Sequence, residues 1–296
     1  MSNIRIPLAF VIVLAIWSTT PLAIQWSSDD SPLTSVLYRM LIGMIFCLIT
    51  LLITQVRLPF NHHARRMYLV AGLAIFGPMT LVYLAAQSVP SGWISILFGL
   101  SPLITGVIST FIDPGTSLSR TSIIGILLGI LGLILVFFAG LSLSQDTIPG
   151  IVMLIIAVLI SASSSVLVKH IDKNANLSPM QTSVGALIVA LPLFALVAWL
   201  NEPIGDITFS KKAVYGILYL GVIGTGIGFT FYYYLLKHLS ASKVALIMLI
   251  TPVSSLLIGN LINDEPVLAN VWIGAVLVCV GLFLYEYKPR FGIRKL

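Results

Sequence analysis

The chain has 296 residues, of which 58% are hydrophobic and 9% charged, with a mean hydropathy of +1.07 and a formal charge of +6. A water-soluble domain carries roughly a quarter charged residues, so this composition excludes an ordinary soluble globular protein and requires a bilayer as solvent. The positive charges stand in short loops between apolar runs, with no basic arm or stripe left over for RNA or DNA, so no nucleic-acid partner is expected.

A spanning helix needs about 20 mostly apolar residues, and ten such runs can be marked: 7–26, 33–54, 66–86, 92–111, 121–140, 149–170, 178–199, 212–236, 241–262 and 267–287. The first, MSNIRIPLAFVIVLAIW, resembles a signal peptide but lacks a small-residue cleavage site, and is expected to stay as an uncleaved helix. The connections are short, so neighbouring helices must be antiparallel. The expected fold is an all-α polytopic membrane protein with ten transmembrane helices.

Taken in chain order, the polar and aromatic residues inside these runs mark candidate site positions. Trp17 lies in the first run. Arg39, in the second, is the only charge well inside a run, about 9 Å deep at 1.5 Å per residue. An intramembrane charge is a functional candidate, but a long side chain also snorkels, here toward Asp29, Asp30 or the headgroups. Both readings stay open. Tyr83 closes the third run; its ring suits either a cavity wall or an interfacial belt. The fourth run contains Phe98, Ser101 and Pro102. Proline has no N–H, so Pro102 leaves the Phe98 carbonyl without its helical donor, and such a break is tolerated where it faces a cavity or another helix. In the fifth run, Gly125-x-x-x-Gly129 fits helix association, either within the chain or between the protomers of a homodimer.

The sixth run offers the hydroxyls of Ser161, Ser164 and Ser165. The eighth holds GVIGTGIG at 221–228, where no strand precedes the glycines, so close helix packing explains them better than a dinucleotide site. It also holds Tyr232-Tyr233-Tyr234, which at 100° per residue cannot all face one cavity. The ninth repeats the fourth: Met248 loses its donor to Pro252, and Thr251 adds a hydroxyl. No Asp, Glu or His stands near the middle of any run, so no midplane proton relay is visible. Cys47 and Cys279 both lie in apolar runs and suggest neither a disulfide framework nor a metal cluster. Catalytic groups, metal and cofactor are all expected to be absent.

Loop charges orient the chain. With the N-terminus inside, 13 of the 16 basic residues are cytoplasmic, and only Lys211 and Lys212 fall on the outer side. Both termini are therefore expected in the cytoplasm. A duplication is also visible. Shifting by about 150 positions lays Thr80 on Thr230, Tyr83 on Tyr233 and Pro102 on Pro252; nearby shifts lay Gly125 and Gly132 on Gly274 and Gly281, and Ser31-Pro32 on Ser178-Pro179. Residues 1–146 and 147–296 are thus expected to be two five-helix repeats. An odd helix count inverts the second copy, the arrangement that places a substrate near the midplane between repeats in many transporters.

These features resemble the drug/metabolite transporter superfamily, in particular its EamA-type permeases. IWSTTP in the first run, YRMLIG in the second and LITPVSSLLIGNLINDEP in the ninth carry the likeness, which extends over nearly the whole chain. The ninth-run pattern closes on a terminal acid at Glu265, and the first copy departs from it, ending IDPGTSL without the Gly-Glu pair. The resemblance implies a transporter of small metabolites or drugs in the bacterial inner membrane, often exporting them. It also implies an arginine near position 39 whatever the substrate.

The expected function is alternating-access export of a small polar or amphipathic, amino-acid-like solute, with the lipid bilayer and that solute as partners. Trp17, Arg39, Tyr83, Phe98, Ser101, Ser161, Tyr233, Met248 and Thr251 are the expected substrate-binding residues, and Pro102 and Pro252 the expected helix kinks. The alternative is an integral-membrane lipid-modifying enzyme, which needs carboxylates or histidines gathered at one membrane face; only the pairs Asp29-Asp30 and Asp264-Glu265 suggest this, without accompanying histidines.

Overall fold

A computed structural model of the protein describes residues 5–28, 31–112, 119–143, 147–175, 177–202, 208–249, 251–265 and 267–286. Helix is the only regular structure among them. In lipid every backbone group must be satisfied within the segment, and helices do this. The elements are α1 (Arg5–Ser27), α2 (Pro32–Thr54), α3 (His62–Ala85), α4 (Ser91–Phe98), α5 (Ser101–Ile112), α6 (Arg120–Leu143), α7 (Thr147–Ala175), α8 (Pro179–Asn201), α9 (Lys211–Tyr219), α10 (Gly228–His238), α11 (Ala241–Ala245), α12 (Thr251–Asn263) and α13 (Ala269–Glu286). A π-helical segment, Leu220–Ile227, joins α9 to α10, and a 3₁₀ turn, Leu246–Leu249, follows α11. Each of the ten apolar runs is helical. Among the described residues seven form helices long and apolar enough to cross a membrane, with shorter apolar helices beside them. Large apolar side chains cover the outside, among them Leu52, Phe111, Trp199 and Leu261, as a lipid-facing surface requires.

Two runs are broken, each just before its proline. The fourth splits into α4 and α5 at Gly99–Leu100, and Pro102 is the second residue of α5. The ninth splits around the 3₁₀ turn, and Pro252 is the second residue of α12. Proline is well placed in a first helical turn, where its missing N–H has no partner in any case. The two breaks also abut, because a Cβ added at Gly99 would lie 3.3 Å from Pro252 Cγ.

Glycines set the closest helix contacts. α6 runs antiparallel along α13, with Gly125 opposite Gly281 and Gly132 opposite Gly274. A Cβ at any of these four would come within 3.0 Å of the backbone oxygen facing it. Gly129 packs on the Leu103 side chain, so the Gly125-x-x-x-Gly129 pattern is used inside the chain. The eighth-run glycines behave the same way: Gly221 and Gly226 pack on Ile42 and Phe46 of α2, and Gly43 of α2 packs on Thr225.

One end of the bundle is acidic and the other basic, as hydrogen bonds between helix ends show. At the acidic end, the Glu202 carboxylate accepts from the N–H groups of Leu33 and Thr34 at the start of α2, both at 2.8 Å, and from the Thr34 hydroxyl. Glu265 accepts from the N–H and the hydroxyl of Ser91 at the start of α4, both at 2.9 Å. At the basic end, Lys169 Nζ donates to the carbonyls of Leu236 and Lys237, and Lys237 Nζ to that of Leu177. Glu202 and Glu265 thus meet the N-termini of α2 and α4, and Lys169 the C-terminus of α10, as the backbone dipoles favour, while Lys237 reaches the connection before α8.

Candidate functional site

α1, α2, α3, α4, α7, α10 and the start of α12 enclose a cavity with an empty volume of about 980 Å³, its open mouth included. α1 contributes Trp17, Thr20, Pro21 and Ile24; α3 contributes Ala74, Ile75, Pro78, Met79 and Val82; α4 contributes Ile94, Ser95 and Phe98. α7 presents Ser161, Ser164, Ser165 and Val168 on one face, at the helical spacing that aligns i, i+3, i+4 and i+7. Phe229, Tyr232 and Tyr233 of α10 close another side, with Met248 and Thr251 from the broken ninth run and Arg39 from α2.

An aromatic wall forms where α1 meets α10. The Trp17 and Tyr232 rings lie 5.4 Å apart between centroids, and Tyr232 and Tyr233 lie 5.3 Å apart. The Tyr232 hydroxyl is 2.7 Å from Ser165 Oγ, which satisfies it and ties α10 to α7. Tyr234 points elsewhere, its ring 4.3 Å from that of His238, so two of the three consecutive tyrosines face the cavity. On the α4 side, Ser95 donates to Ser255 Oγ at 2.7 Å, and Ser255 donates to the Ser18 carbonyl at 2.9 Å. This chain of hydroxyls fixes α4, α12 and α1 around the cavity floor.

Arg39 is buried, with 2% of its surface exposed. Its Nε donates to Thr225 Oγ1 at 3.0 Å, and its Nη1 lies 3.5 Å from the Tyr83 hydroxyl and 3.8 Å from Met79 Sδ. The guanidinium carbon sits 5.9 Å from the Tyr83 ring centre. Among the described residues no carboxylate pairs with it. Asp29 and Asp30, the acids toward which the sequence allows it to snorkel, lie outside the described residues.

Of the nine residues expected to bind substrate, the structure brings seven to this cavity: Trp17, Arg39, Phe98, Ser161, Tyr233, Met248 and Thr251. Tyr83 and Ser101 do not line it. Tyr83 is fully buried behind Arg39, where its ring and hydroxyl hold the guanidinium; the neighbouring turns of α3 present Pro78, Met79 and Val82 instead. Ser101 is buried at the α4–α5 break, and its Oγ has no hydrogen-bond partner among the described residues. Sequence reasoning divided the tyrosine run correctly but passed over Tyr232 as a lining residue, and it missed Thr225 inside the glycine pattern. A lone hydroxyl amid packing glycines, GTG, was the available signal.

A second, smaller cavity of about 240 Å³ lies toward the basic end, walled by Met67, Lys169, Lys237 and residues at the start of α8. Val168 and Tyr233 line both cavities. These two side chains stand where the cavities meet.

Apolar helices around a central cavity define the class as a polytopic membrane protein. The model of the EamA-like transporter family matches residues 5–138 and again 148–287, and the chain belongs to that family. It is similar to the uncharacterized transporter YoaV of Bacillus subtilis, at 25% identity over 99% of each chain. It is also similar to a protein of Salmonella typhimurium named "Probable amino-acid metabolite efflux pump", at 26% identity over 74% of this chain and 76% of that one. A crystal structure of another protein shares the fold, with a TM-score of 0.73 at 20% identity over 96% of this chain and 98% of its own.

Proposed function

We propose that the protein exports a small polar or amphipathic metabolite, amino-acid-like in size and character, across the bacterial inner membrane by alternating access. The observation that carries this reading is the central cavity, apolar over most of its wall and supplied with hydroxyls from α1, α4, α7 and α12. The name of the Salmonella relative supports an amino-acid-like solute and the outward direction. Residues 1–146 and 147–296 act as two inverted repeats. The crossed glycine pairs of α6 and α13 support this, since exchanging each glycine for its counterpart reproduces the same contacts, as does the proline that opens both α5 and α12. Tyr233 and Val168 serve as the thin partition toward the basic end, and the hydrogen bonds of Lys169 and Lys237 there hold that end closed.

The transport test uses the purified protein in liposomes, with labelled amino acids followed by counterflow. Tyr233→Ala and Trp17→Ala are expected to slow the preferred solute about tenfold or more, as truncation of an aromatic anchor does, without lowering the amount of folded protein. If no solute moves faster than through protein-free liposomes, the transporter reading fails.

In the proposed orientation the basic end and both termini face the cytoplasm. A cysteine replacing exposed Asn201, at the acidic end of α8, is expected to react with an impermeant thiol reagent added to intact cells. One replacing exposed His63, at the start of α3, is expected to stay unlabelled until the cells are opened. The reverse pattern overturns the orientation.

An enzyme reading would recruit the external acids. Among the described residues no group of three or more His, Cys, Asp or Glu comes together, and Glu265 is already engaged in capping α4.

A further inference from the structure

We infer that Arg39 is the anion-recognising group of the cavity, and that the transported solute carries a carboxylate on an apolar body. This rests on the transporter reading above and adds a charge rule to it. A guanidinium has five N–H donors in a planar fork. In Arg39 the Nε donor has a good acceptor in Thr225, whereas Nη1 has only a long contact to the Tyr83 hydroxyl and a longer one to the Met79 sulfur. No acceptor among the described residues reaches Nη2.

Among the described residues Arg39 has no counter-ion, and a buried charge without one is expensive inside a membrane protein and is kept where it has work to do. Arg39 opens onto the cavity, and among the described residues no Asp or Glu lines that cavity to neutralise it. The charge is held for a partner that arrives with the solute. Its orientation is fixed from two sides, by Thr225 of the π-helical segment and by the Tyr83 ring. Nη2 lies beside Gly224, where an added Cβ would be 3.4 Å from it, so a guanidinium held this way offers Nη1 and its charge to a carboxylate. The remaining wall around Trp17, Phe98 and Tyr232 suits an apolar or aromatic body. An amine brings no advantage: it meets the arginine's charge and finds no carboxylate. The solute's carboxylate is therefore required and its ammonium optional.

A purely structural arginine would bridge α2 to α3 and to the π-helical segment, and its loss would then affect all solutes equally. Four probes sharing one body separate the two roles: 3-phenylpropionate, phenylalanine, 3-phenylpropan-1-ol and 3-phenylpropylamine. Binding to the purified protein is followed by thermal stabilisation. The two carboxylates are expected to bind at least about tenfold tighter than the alcohol, a difference that a single charge-assisted contact supplies, and the amine is expected to bind weakest. Arg39→Lys should keep part of the carboxylate preference, and Arg39→Gln should abolish it.

If Arg39→Gln does not fold, the wild-type series and Arg39→Lys still decide. The inference is overturned if the alcohol or the amine binds as tightly as the carboxylates, if Arg39→Gln keeps the preference, or if none of the four binds. The same probes in proteoliposomes distinguish the two levels of failure. Movement without regard to the carboxylate sinks the charge rule alone, whereas no movement of these probes or of any amino acid sinks the transporter reading with it.

Discussion

Replacing Glu265 by alanine is expected to destabilise the protein by about 2–4 kcal/mol, because it leaves two buried donors on Ser91 without an acceptor, each costing about 1–3 kcal/mol. Ser91 is fully buried and Glu265 nearly so, so water cannot take over at either group. The other carboxylate oxygen accepts from Asn263 Nδ2 at 3.2 Å, and the Glu265 backbone is pinned through Asn260 and Gly259. The side chain is thus fixed on the turn after α12 while it caps α4. In detergent, the unfolding midpoint of Glu265→Ala should fall by about 5–10 °C. Glu265→Gln, which keeps an acceptor oxygen but no charge, should lose roughly half as much. An alanine variant melting within about 1 °C of the wild type would show that the cap contributes nothing.

The second large effect is expected at Gly132. Leucine there would drive a side chain into the Gly274 carbonyl across the α6–α13 contact. Backbone, unlike a flexible side chain, cannot turn aside. Overpacking commonly costs about 1–3 kcal/mol when side chains can yield; here the cost should be at least about 3 kcal/mol, and little folded protein should be recovered. Gly77→Ala is the matching control. Its added Cβ would meet only the Ile160 side chain at 3.6 Å, an ordinary contact, and alanine is the better helix former, so its stability should stay within about 1 kcal/mol of the wild type. Equal yields of the two variants, read by size-exclusion chromatography, would falsify the backbone-contact account.

The sequence made the helices legible because length and apolarity alone identify a span, and the prolines located both broken runs to within a few residues. The direction each side chain faces was much harder to read. A helix between lipid and protein is apolar on every face, so periodicity does not separate the cavity side from the lipid side. Tyr83 illustrates this. It aligns with Tyr233 in the duplication, yet Tyr233 lines the cavity and Tyr83 lies behind Arg39. Alignment conveys equivalence of position along a helix, whereas one arginine without a counterpart in the second copy changes what the position touches.

The capping acids were illegible for a different reason. Ser178 and Gln181 form a local capping box at the start of α8, with bonds of 3.2 and 2.7 Å, and a sequence window contains both partners. The equivalent Ser31 makes no such bond. Its helix is capped instead by Glu202, far outside any local window. Short-range rules cannot see that substitution of one cap for another.

Those two carboxylates also impose an order on how the molecule is made. Leu33 and Thr34 wait for a partner 169 and 168 residues downstream, and Ser91 for one 174 residues downstream. At about 5–20 residues per second of synthesis, the starts of α2 and α4 are threaded into the bilayer roughly 10–30 s before their acceptors leave the ribosome. During that interval the open N–H groups at those helix ends can be satisfied only by water or lipid headgroups. The first five spans are therefore not finished when they are complete in sequence; the second half closes them as it arrives.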